Sequence, residues 1–122
     1  MTGESEVLSP VEVEQLIRSL ANEIAKGVRA VSAAHGDWKA KQRIYDHAFA
    51  VAYLAHVGAS HEKRYAAEKL TQQERESAEV AEVAFRHAER QMRSLEIQLS
   101  AAQTVSKSIQ QMYGASGTGR GN

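Results

Sequence analysis

The sequence predicts an all-α protein in which two long helices fold back on each other as a helical hairpin and copies assemble into a homo-oligomer. Three observations carry this. Residues 78–113 hold a seven-residue apolar repeat. Ala, Glu, Gln, Lys, Arg and Leu dominate, while strong strand formers are sparse and Pro occurs once, at Pro10, a composition that favours helix over sheet. A single short Gly/Ser break, Gly58-Ala59-Ser60, separates the two helical stretches.

The elements follow in order. Met1 to Ser9 is acidic and polar and reads as a flexible leader, not a signal peptide. Ser9-Pro10-Val11-Glu12 is a start signal, with a Ser cap, Pro at the first helical position and Glu three residues after the cap. Val13, Leu16, Ile17, Leu20, Ile24, Val28 and Val31 follow at helical spacing, and Trp38, Tyr45, Phe49, Ala52 and Tyr53 resume the pattern as far as His56. Gly36 is the weak point where this first helix is open to a bend or break, because Gly costs about 1 kcal/mol against Ala in a helix interior and Asp37 suits a fresh cap.

Gly58 suits a left-handed C-terminal cap and Ser60 the N-cap of the next helix. So short a link returns the chain antiparallel. The second helix is expected from His61 to Tyr113, although Thr71-Gln72-Gln73-Glu74 repeats the capping-box pattern and leaves open a kink or a separate short helix over 61–70. The hairpin domain thus spans 10–113, and Gly114 to Asn122 reads as a disordered Gly/Ser-rich tail.

With Ala78 at position a, the a series is Ala78, Phe85, Met92, Leu99, Ser106 and Tyr113, and the d series Ala81, Ala88, Leu95, Ala102 and Ile109. The 3–4 spacing places them on one stripe, and the seven-residue period asks for a neighbouring helix to coil around. Glu82, Glu89 and Glu96 fall at e, so a parallel pairing of this helix with its own copy is disfavoured, and the first helix is one source of a partner. Phe85, Met92, Leu95, Leu99 and Ile109 are the expected core and oligomer-interface residues. The two roles are compatible, and both stay open. A core so rich in Ala buries little area for a monomer, and self-association is the natural remedy.

Fifteen basic and fifteen acidic residues leave a formal net charge of zero, so no whole-molecule steering toward nucleic acid or membrane is expected. No apolar run approaches the ~20 residues of a membrane span, and the expected location is cytoplasmic. Local basic groups remain. Lys39, Lys41 and Arg43 lie together beside Trp38 and Tyr45, and Lys63 and Arg64 follow the helix link. Cations on a rigid helix face can track phosphates, and aromatic faces can stack on unpaired bases. The plainer reading pairs such cations with i, i+3 and i, i+4 acids, as Arg86 and Arg90 would with Glu82 and Glu89, and puts Trp38 and Tyr45 in the core.

Enzyme chemistry is not expected. There is no Cys, hence no thiolate nucleophile or zinc–thiolate site. His35, His47, His56, His61 and His87 include no i, i+4 pair and no H-E-x-x-H, and neither a phosphate-cradling Gly loop nor a nucleophile elbow occurs. No metal or cofactor is therefore expected.

Three segments carry a family resemblance: Asp37-Trp38-Lys39-Ala40-Lys41 in the first helix, Ala52-Tyr53-Leu54 leading to the Gly58–Ser60 break, and Lys107-Ser108-Ile109-Gln110-Gln111-Met112 closing the second helix. Over about residues 20–113 the chain resembles the small helical recombination mediator proteins of bacteriophages, the UvsY type. The resemblance implies a ring-like homo-oligomer that binds single-stranded DNA and helps load a RecA-like recombinase against a competing single-strand binding protein, in the host cytoplasm. One departure stands out. That family carries Lys and Arg at the end of its first helix, whereas Ala48 to Leu54 here has none, which shifts any phosphate contacts to Lys39, Lys41, Arg43, Lys63 or Arg64. The rival expectation is a structural, scaffolding or adaptor protein without nucleic-acid binding.

Overall fold

The computed structural model describes residues 8–121, with side chains through Gly114. The expected leader falls outside these residues up to position 7. No strand occurs among the described residues, and three helices follow in order: α1 (Pro10–Ala55), α2 (Ser60–Leu70) and α3 (Gln72–Gly121).

α1 starts where the capping box places it. Ser9 Oγ accepts from Glu12 N–H at 3.2 Å, and Glu12 Oε1 accepts from Ser9 N–H at 3.3 Å, so two backbone donors at the helix start are satisfied reciprocally. Gly36 does not break the helix. α1 runs through it to Ala55, and Asp37, the possible fresh cap, instead accepts from Lys41 Nζ one turn on, at 3.1 Å. A single Gly penalty of about 1 kcal/mol is small against the packing of the flanking turns.

The link differs in detail from expectation. Gly58 lies three residues beyond the helix end and has a φ of 155°, so it turns the chain within the link and is not the cap itself. Ser60 is already helical, the N-cap is Ala59, and no side chain caps α2.

The second helical stretch divides at Thr71. This residue is buried and has φ −112° and ψ 20°, outside the helical basin. Its backbone N–H donates to Ala67 O at 3.0 Å, and its Oγ1 donates to the same oxygen at 2.6 Å. A Thr hydroxyl bonded back to the i−4 carbonyl bends a helix without help from Gly or Pro. The capping-box reading of Thr71-x-x-Glu74 is thus replaced by this back-bond. α3 also passes the expected end at Tyr113 and carries helical backbone from Gly114 to Gly121. From Gln110 to Gly114 every residue is exposed.

Contacts divide the chain into two units, residues 1–27 with 91–122, and residues 28–90. In the first unit Val13, Leu20 and Ala102 are buried, with Ile17, Ile24, Met92, Leu95, Leu99 and Ile109 half-buried. Pro10, Val13 and Ile17 share a cavity with Ser106 and Ile109. Toward the other end, a Cβ at Gly27 would lie 2.8 Å from Met92 Cε, so the Gly lets Met92 rest on the α1 backbone. In the second unit Ala67, Ala78, Ala81 and Phe85 are buried. Phe85 stacks on Trp38 with centroids 5.3 Å apart and 24° between planes, and His35 meets Phe85 edge-on at 5.0 Å. The heptad stripe is therefore an inward face of α3 within its own chain from Ala78 to Ile109, while Tyr113, its last member, is 63% exposed.

Candidate nucleic-acid interface

All five candidate cations fall in the second unit, together with all five His and every aromatic residue except Tyr113. The structure distributes them differently from the sequence. Lys39 and Arg43 stand one turn apart on α1, both exposed, and neither forms an ion pair among the described residues. Lys39 Nζ lies 4.3 Å from the centre of the Trp38 ring, a cation–π contact that holds the ammonium at the surface without neutralising it.

Lys41 is separated from them. Two residues along a helix is a rotation of about 200°, and the half-buried Lys41 side chain sits on the far side, 3.1 Å and 3.3 Å from the two Asp37 carboxylate oxygens. Around it is an open depression of about 400 Å³ also lined by Gln73, Glu76, Ser77 and Val80. Its charge is answered locally.

On α2, Lys63 is half-buried with Nζ 5.6 Å from the Tyr53 ring centre. Arg64 Nε is 3.9 Å from Glu68 Oε1, and its guanidinium carbon is 5.3 Å from the ring centre of Tyr65. Both partners of that ion pair are largely solvated, so it is weak and easily exchanged for a phosphate. Arg86, by contrast, is held between Glu89 at 3.3 Å and Glu82 at 3.7 Å and also lies 5.2 Å over Trp38. That matches the solvated-face reading.

The aromatic residues noted beside the first basic group are structural. Trp38 is sandwiched by Phe85, His35, Lys39 and Arg86. Its indole Nε1 is buried without a hydrogen-bond partner, the orientation of a ring placed for packing. Tyr45, Phe49 and Tyr53 run down α1 as contacts at 6.1 Å and 6.3 Å, all half-buried. The available stacking surface in this unit is Tyr65, 59% exposed beside Arg64. Sequence reasoning passed over it because it belongs to no periodic stripe. The usable signal was the Arg64-Tyr65 neighbourhood itself, a cation next to an unassigned aromatic.

Among the described residues, no group of three or more His, Asp or Glu side chains gathers where a cation would sit. No helix there is long and apolar enough to cross a membrane.

Compared with family profiles, curated proteins and solved structures, the chain matches none. The phage-mediator resemblance therefore rests on the three sequence segments that carry it, and the functional argument on the geometry of Lys39, Arg43, Lys63, Arg64 and Tyr65.

Proposed function

We propose that this is a non-catalytic, self-associating helical protein that binds single-stranded DNA through its second unit and acts in the cytoplasm as a recombination mediator or accessory factor, helping a RecA-like recombinase displace a single-strand binding protein. The observation that carries the DNA part is the pair Lys39 and Arg43, exposed, one turn apart and free of ion pairs among the described residues. Lys63, Arg64 and Tyr65 extend it with two cations and an exposed ring in one turn of α2. Phosphate contacts by a few cations and stacking on one ring give weak affinity per subunit, and linked subunits multiply it through effective concentration.

A hairpin of α1 against α3 is the architecture supported by the order of contacts in each unit. In the first, Pro10 and Ile17 line one cavity with Ser106 and Ile109, while Met92 lies against Gly27. In the second, Asp37 and Lys41 face Gln73 to Ala84, and His35 and Trp38 meet Phe85. Self-association is supported by the small Ala-rich core and the large apolar side chains left outside it.

A second reading, a helical scaffold or adaptor without nucleic acid, is favoured by the local pairing of Lys41, Arg64 and Arg86. Fluorescence anisotropy with labelled single-stranded oligonucleotides separates the two. Salt-sensitive binding lost in Lys39→Glu/Arg43→Glu supports the DNA reading, and no binding at low salt supports the scaffold.

A further inference from the structure

With the heptad stripe turned inward, the self-association proposed above calls for a more exposed surface to join copies. In the first unit a second stripe runs along α3 through Ser94, Ile97, Ala101, Val105, Ser108 and Met112, again at 3–4 spacing, and every member is exposed. Ile97 and Met112 are 69% and 67% exposed. Charge is almost absent here. Between Ser94 and Met112 the only ionisable side chains are Glu96 and Lys107, and at 100° per residue both fall off this stripe. Beside it lies an apolar groove of about 280 Å³, bounded by Leu8, Leu16 and Leu20 on one side and Ala101, Ala102 and Val105 on the other.

We propose that this stripe and groove are the docking surface for a second copy of the chain, packed antiparallel about a two-fold axis near Ala101. The inference rests on the self-association reading above and assigns it a site. Area and self-complementarity together argue for this occupant. The chain exposes 8994 Å², against roughly 6,500 Å² for a monomeric protein of 13.4 kDa. Even with residues 1–7 and 115–122 counted as fully open chain, the surplus is roughly 1,000 Å², above the ~800 Å² that each partner of a standard interface hides. An isologous contact needs a self-complementary patch. An antiparallel mate centred on Ala101 supplies one, since Ile97 then faces Val105 of the second copy and Ser94 faces its Ser108. Ala101 at the axis lets the helices approach closely, and the flanking branched side chains enter the mate's groove.

The test is sedimentation velocity on the full chain, wild type beside Ala101→Glu and Val105→Glu, with circular dichroism as the fold control. Both substitutions sit at exposed or edge positions and should leave helix content unchanged. The expected result is a wild-type dimer or larger species at micromolar concentration and at least a tenfold weakening in both variants. A wild-type monomer overturns self-association altogether. An assembled wild type with equally assembled variants leaves self-association standing and overturns this surface. Should the variants lose helix, Ala101→Cys probes the same surface without a buried charge. In a chain lacking any other thiol, oxidation must cross-link it into dimers, and Lys107→Cys, off the stripe, must cross-link far less. Equal cross-linking at both positions contradicts the proposed axis.

Discussion

Thr71 gives two hydrogen bonds to one acceptor, the Ala67 carbonyl, its N–H from 3.0 Å and its hydroxyl from 2.6 Å. The hydroxyl bond forms at a buried site where the chain leaves one helix and enters another. Thr71→Val keeps shape and branching but removes the donor. It should lower stability by about 1 kcal/mol, read as a reduced urea midpoint with an unchanged slope. An unaltered midpoint would mean that packing alone makes the bend.

Gly36 lies in the interior of α1, and a Cβ added there meets nothing within 4 Å. Gly36→Ala should therefore stabilise the protein by up to about 1 kcal/mol through helix propensity alone. Gly58→Ala should do the opposite, because the link needs its φ of 155° and the Glu62 carboxylate occupies the space a Cβ would take. Paired thermal melts check both signs, and destabilisation by Gly36→Ala would place a break in α1 after all.

Phe85 is 6% exposed in the stack with Trp38, whereas Val83 two residues earlier is 65% exposed. Phe85→Ala should cost about 3–5 kcal/mol and shift the emission of the lone Trp to the red. Val83→Ala should stay within about 0.5 kcal/mol. Similar losses in the two would mean that the stripe is not the inward face.

Much of the fold was legible because it rests on periodicity and short-range chemistry. The 3–4 repeat from Ala78 to Ile109 marked the inward face, and Ser9 with Glu12 marked the start of α1 to the residue. Elsewhere the sequence left alternatives open that a local preference could not decide. Gly36 left a bend or break open in an otherwise continuous first helix, and α1 runs through it, since one residue's propensity is small beside the packing around it. The separate short helix left open over 61–70 is present as α2, although its break at Thr71 is made by a buried hydroxyl bond that a capping-box pattern does not specify. The basic cluster misled in another way. Lys39, Lys41 and Arg43 are neighbours in sequence, yet α1 puts Lys41 on the far side against Asp37. Tyr65 was missed because its exposure depends on how α2 packs, which no periodicity encodes.

Between Ala102 and Gly114 no further side chain is buried, and from Gln110 to Gly114 none is even half-buried. Deleting residues 115–122 should therefore leave helix content per folded residue and the melting temperature unchanged. A clear drop in melting temperature would reveal packing by that segment.

Single-stranded DNA binding through the second unit is decided by a salt titration of anisotropy with a labelled oligonucleotide of about forty bases, comparing wild type, Lys39→Glu/Arg43→Glu and Tyr65→Ala. We expect length-dependent binding that prefers single strand over duplex and fades steeply with salt. The charge-reversal variant should lose at least tenfold in affinity and lower the salt slope by roughly 0.7 for each phosphate contact removed, while Tyr65→Ala should weaken binding with little change in slope. Wild-type binding that is absent at low salt, or unchanged in the charge-reversal variant, would refute DNA binding by this surface.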